Sequence, residues 1–142
     1  MNDPHRLQRF VDAQNAGGTY DRALAELRAG RKRSHWMWFV FPQIAGLGSS
    51  ATSQLYAIAS LDEAVAYLDH PVLGARLREC ARILLEHDGG SARDIFGEVD
   101  ALKLRSSMTL FGLAAPGEAL FDGVLEQYFG GEPDEATLRL AR

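Results

Sequence analysis

Apolar residues recur every three or four positions along most of the chain, the spacing of helices buried on one face. Pro4, directly after Asp3, predicts a helix start, and Leu7, Phe10, Val11 and Gln14 then share a face until Gly17 and Gly18 stop it. Thr19 predicts the cap of a second helix, with Tyr20, Ala23, Leu24 and Leu27 as its stripe and Gly30 as its stop. Gly46, Leu47 and Gly48 form a tight turn, after which Ser49 or Ser50 caps a helix running through Leu55 and Ile58. Ser60 and Glu63 make a capping box ahead of Ala64, Val65 and Leu68. Beyond a break at Asp69 to Pro71, a longer helix carries Leu73, Leu77, Cys80, Ala81 and Leu84 and stops at Gly89 and Gly90. Ser91 opens a short helix through Ile95 and Phe96, and Asp100 predicts the cap of a helix reaching about Leu113. After Ala115 to Gly117, Phe121, Val124, Leu125, Tyr128 and Phe129 form a further stripe, closed by Gly130 and Gly131. Asp134 to Ala141 is a short terminal helix. The reading is all-α: one compact domain over residues 1–142 with about seven to nine helices, several of them short.

Two segments depart from this pattern. Ser34 to Pro42 is a short apolar run rich in aromatics, which suits a buried strand or a buried helical turn. No partner strand is evident, so a short helix ending before Pro42 is favoured. In the helix from Asp100 to Leu113, Leu104, Met108 and Phe111 gather on one side, with Leu102, Leu110 and Leu113 broadly opposite. A helix apolar on both sides is normally buried. Yet Lys103, Arg105, Ser106, Ser107 and Thr109 lie on it. A buried cation needs a partner. Either an internal carboxylate meets Lys103 and Arg105, or they line a cavity that an anionic ligand fills, or their ends reach solvent while the stems pack.

The aromatic run follows a cluster of cations. Arg28, Arg31, Lys32 and Arg33 lie within six residues, and His35 comes next. Arg31 and Lys32 suit a phosphate or carboxylate, and Trp36 and Trp38 suit stacking on a base or covering a cation. Ser34, as an N-cap, would aim backbone N–H groups at an anion. His35 is the candidate acid or base, since imidazole is suited to proton transfer near neutral pH. The competing structural reading places Trp36, Trp38 and their neighbours in the core and the cations in solvent.

Composition narrows the classes. The 142 residues can bury a core without staples. The formal net charge of −4 argues against nucleic-acid binding, for which a basic surface is expected. The single cysteine, Cys80, excludes an internal disulfide and falls on an apolar stripe, as an inert thiol would. The N-terminal segment is polar, and no apolar run approaches the ~20 residues of a spanning helix. A bacterial-type, soluble, cytoplasmic protein without membrane association is expected. The four histidines show no metal-ligand spacing, no nucleotide-binding glycine loop is present, and no cofactor is implied.

The stretch Gly30 to Gln43 (GRKRSHWMWFVFPQ), the Gly46 to Gly48 turn, His70 to Gly74 (HPVLG) and Leu102 to Phe111 (LKLRSSMTLF) together resemble one bacterial family, domain of unknown function 1810. The resemblance runs from about Leu7 to Leu138. It implies a mainly α-helical domain and carries over no catalytic residues. The residue chemistry therefore sets the functional expectation: binding, with or without turnover, of a small phosphate-bearing, nucleotide-like ligand. The expected contacts are Arg31, Lys32, Ser34, Trp36, Trp38, Lys103, Arg105 and Ser107, with His35 as the acid–base group. The alternative is a non-enzymatic protein-interaction module or homo-oligomer, because Trp and Arg also anchor interfaces.

Overall fold

A computed structural model describes residues 3–87 and 90–141. The helices are α1 (Gln8–Asn15), α2 (Thr19–Ala29), α3 (Met37–Val40), α4 (Ala51–Leu55), α5 (Leu61–Asp69), α6 (Leu73–Glu86), α7 (Ala92–Ala114), α8 (Ala119–Phe129) and α9 (Glu135–Leu140). A 3-10 turn, Ala16–Gly18, joins α1 to α2. Among the described residues there is no strand, only an isolated parallel bridge between Ile44 and Ile58. The fold is all-α, and no described helix is long and apolar enough to cross a membrane.

Helix α7 is the axis of the packing and lies against α5, α8 and α9, while α6 contacts α2, α5 and α8. One core runs from Leu7 and Phe10 through Trp36, Phe41, Tyr67 and Leu77 to Phe111 and Phe121. The aromatic run joins this core as a single helical turn, α3, with Trp36, Met37, Val40 and Phe41 all buried.

Several local expectations shift. Helix α1 begins at Gln8 rather than at Pro4, because the Asp3 carboxylate accepts from the backbone N–H groups of Leu7 and Gln8 and caps it from a distance. Thr19 is the first residue of α2 rather than its cap, and its hydroxyl donates to the Ala16 carbonyl. Helix α4 ends at Leu55, and Ile58 leaves the helix to pair with Ile44. Ser60 caps α5 as expected, but Glu63 reaches back to the Ala59 N–H and pairs with Arg9, and Val65 faces outward. Helix α6 ends at Glu86, and the Gly89 half of the expected stop lies outside the described residues.

The helix expected from Asp100 is the second half of α7. It follows a kink at Gly97, whose φ of 79° and ψ of 171° lie in a region essentially reserved for glycine. Asp100 is therefore in its first turn and not its cap. From Ser106 to Phe111 every residue is buried, because α5, α8 and α9 enclose this stretch. Apolar burial on all sides ends there: Leu102 is 60% exposed and Leu113 is 37% exposed. Lys103 and Arg105 thus sit where α7 emerges from the core, not within it.

Candidate functional site

The loop between α2 and α3 is organised by Glu26, in the last turn of α2. Its carboxylate accepts from the backbone N–H of Arg33 (2.7 Å) and of Ser34 (3.0 Å), from the Ser34 hydroxyl, and from the Trp36 indole Nε1 (2.9 Å). Ser34 is therefore a partner of Glu26 and not an N-cap; the residue preceding α3 is Trp36. Burial pushes the Glu26 carboxyl up, but the hydrogen bonds from Ser34, Arg33 and Trp36 outweigh it and hold the pKa at about 2. Sequence reasoning missed Glu26. The available signal was an acidic residue in the final turn of a helix, where the dipole disfavours it unless donors converge on it.

Held in this way, the loop passes directly over the kink of α7. The Lys32 N–H donates to the Ile95 carbonyl at 2.7 Å. Its ammonium meets Asp100 Oδ2 at 2.8 Å, and its side chain is only 8% exposed. Lys103 reaches the other oxygen, Asp100 Oδ1, at 3.3 Å. The two sequence motifs therefore meet around one carboxylate. The Lys32 ammonium lies 5.2 Å from the Trp36 ring centre, and the Lys103 ammonium lies 5.0 Å from that of Trp38. Trp36 is 1% exposed and packs edge-on against Phe96, so its body belongs to the core. Trp38 is half-buried and His35 is exposed.

Lys32, His35, Trp38, Phe96, Gly97 and Lys103 are among the walls of a groove of about 400 Å³. Asp100 and Glu98 also border it, and Glu98 is paired with Arg93 at 3.6 Å. Arg31 is exposed, one residue before Lys32. The structure does not bring Arg105 or Ser107 into this groove. Arg105 donates to the Glu132 carbonyl at 2.9 Å and approaches its carboxylate. Ser107 is fully buried, and its hydroxyl has no hydrogen-bond partner among the described residues. The anomaly on α7 is thus met by carboxylates: Asp100 for Lys103 and Glu132 for Arg105.

Cys80 lies fully buried on α6, and burial raises its pKa to about 12, the opposite of what a nucleophilic thiol requires.

The profile of a family described as "Protein of unknown function (DUF1810)" matches residues 4–141. The chain belongs to this family. Its fold is similar to the crystal structure of the conserved hypothetical protein Rv1873 from Mycobacterium tuberculosis, at 1.38 Å, with 51% sequence identity and a TM-score of 0.94 over 98% of each chain. No curated protein matches the chain. Neither the family's description nor that relative's title assigns an activity to the groove.

Proposed function

We propose that the chain binds a small phosphate-bearing, nucleotide-like ligand in the groove between Lys32, Trp38 and Lys103. One observation carries this reading: two ammonium groups share the single carboxylate of Asp100 beside a half-buried tryptophan. With Glu98 directed to Arg93, the cluster of Lys32, Lys103 and Asp100 keeps one positive charge in excess, next to an aromatic face. Lysine holds phosphate as a point charge, and a tryptophan face accepts a ring or a cation. His35, at the exposed rim, is the acid–base candidate for any turnover. Arg31 supplies further positive charge nearby.

The test is a thermal-shift and calorimetric panel of inorganic phosphate, nucleoside mono- and diphosphates and ADP-ribose. A ligand at 100 times its Kd stabilises the fold by about 2.7 kcal/mol. Lys103→Ala is expected to weaken binding at least tenfold. Lack of any response from the wild-type protein across the panel would overturn the proposal.

A second reading, an interaction module or homo-oligomer, is favoured by Val99 and Leu102. They are 68% and 60% exposed, three residues apart on α7. Trp36 is no anchor for such an interface, being internal. If this reading holds, sedimentation velocity will show an association that Leu102→Glu abolishes.

A further inference from the structure

The Gly46–Gly48 turn and α4 line a second, smaller pocket of about 110 Å³. Trp38 borders both it and the groove. Among the described residues, no charged side chain lines the pocket. Its floor is pinned by the bridge between Ile44 and Ile58, in which Ala45 N–H donates to the Ile58 carbonyl and Ile58 N–H to the Gln43 carbonyl, each at 2.8 Å. Gly46 has a φ of 106°, and a Cβ on Gly48 would come within 2.7 Å of Ser53. A side chain at position 48 would thus collide with Ser53, and the positive φ at position 46 favours glycine. Among the described residues, neither the Gln43 carboxamide nor the Tyr56 hydroxyl has a hydrogen-bond partner, and both residues line the pocket and are half-buried. The Tyr56 ring is held by Phe10 and Phe39, with centroids 5.8 Å and 5.2 Å away.

We infer that this pocket is a subsite for a small, uncharged, planar hydrogen-bonding group, a carboxamide or the edge of a nucleobase, recognised by Gln43 and Tyr56. The inference rests on the proposed function in one respect: Trp38 joins the pocket to the lysine groove, so one ligand spans both, its charged part at Lys103 and its neutral part at Gln43. Three arguments select this chemistry. A charged group entering a space without a counter-charge meets a desolvation penalty that an uncharged polar group largely escapes. A glutamine amide offers a donor and an acceptor side by side, which matches the paired acceptor and donor of a carboxamide or base edge. The volume is somewhat below that of an engineered cavity of about 150 Å³ that admits benzene, so it takes the edge of one ring and not a fused system entire. Because the backbone wall is already pinned, binding has little ordering to accomplish there.

The experiment is isothermal titration calorimetry on the full chain with uracil, cytosine, their ribonucleotides and inorganic phosphate. It is backed by NMR of the Gln43 side-chain amide and the Trp38 indole. Wild-type protein is expected to bind a ribonucleotide at least tenfold more tightly than either inorganic phosphate or the free ring. Gln43→Leu is expected to remove that gain and to leave phosphate binding unchanged. Tyr56→Phe, which keeps the ring packing, is expected to weaken ring binding several-fold. It also serves as the second variant if Gln43→Leu does not fold. If ribonucleotides bind with dependence on Lys103 but unaltered by Gln43→Leu and Tyr56→Phe, the subsite is wrong and the groove stands. If the free rings bind through Gln43 while phosphate and Lys103→Ala make no difference, the groove is wrong and the subsite stands. Absence of binding by every probe, with no change in the Gln43 and Trp38 signals, overturns both.

Discussion

At the level of single residues, Glu26 and Ser107 are the two most informative side chains. Glu26 gathers four donors from the loop that carries Arg31 to Trp36. Its pKa is about 2 in the fold, against an ordinary value of 4.5. Between those values the unfolded chain binds more protons than the folded one. The contribution of Glu26 is therefore complete above pH 4.5 and is lost as pH falls toward 2. Glu26→Gln is expected to be less stable than wild type by about 1–2 kcal/mol at neutral pH, since charge-assisted bonds are replaced by weaker ones. The difference should shrink in acid. Urea denaturation across a pH series, read by tryptophan fluorescence, checks both statements. Ser107 presents the reverse case, a fully buried hydroxyl with no hydrogen-bond partner among the described residues. Ser107→Ala is expected to be neutral or stabilising by up to about 1 kcal/mol, because it removes an unpaired polar group at little cost in volume. A clear loss of stability on urea denaturation would show that the hydroxyl has a partner in solution.

The decisive element is α7, and its decisive feature is the kink at Gly97. A straight helix from Ala92 would carry the first turn of the second half, and with it Asp100, to a different azimuth from that needed to meet Lys32. Gly97 has open space where a Cβ would stand, so its backbone angles, and not crowding, demand glycine. Gly97→Ala is expected to cost about 1–3 kcal/mol. It is also expected to perturb the Lys32 amide, whose N–H donates to Ile95 two residues earlier. Chemical denaturation and amide exchange measure the two effects. Helix α5 supplies a second fixed point: the Arg9–Glu63 pair, at 2.9 Å with side chains 12% and 4% exposed, ties it to α1. Glu63→Ala leaves the Arg9 charge poorly compensated and should lower stability by about 3 kcal/mol, a loss that thermal unfolding will register.

For the whole molecule, the net charge of −4 sets the background against which the Lys32, Lys103 and Asp100 cluster acts. A local cationic site on an acidic protein attracts anions only over short range, and salt weakens it. Phosphate-ligand affinity is therefore expected to fall several-fold between 50 and 500 mM added salt, whereas binding of a neutral ring at Gln43 should not. Calorimetry at these two salt concentrations separates the charged and uncharged halves of the proposed site.

The helices were legible in the sequence because their signals are local. Caps at Ser60, Ser91 and Asp134, stops at Gly30 and Gly130, and three- and four-residue apolar spacing act within a turn or two of the chain. The core role of Trp36 and Phe41 was available on the same grounds. The requirement that Lys103 and Arg105 find partners was legible too, since it follows from the cost of leaving charge unpaired. Which partners they found was not. Asp100 serves Lys32 and Lys103 only because α7 bends at Gly97 and the Glu26 clamp lays the basic loop across it. Ile58 left its expected helix because Ile44 offered a backbone bridge from outside the segment. The sequence by itself determined which stretches coil, where they stop and which faces they hide, because those choices are made by neighbours along the chain. Only the tertiary structure decided how the charges pair, that Arg105 and Ser107 stand apart from the groove, and that Trp38 lines two recesses. Those outcomes depend on how rigid elements distant in sequence come to rest against one another.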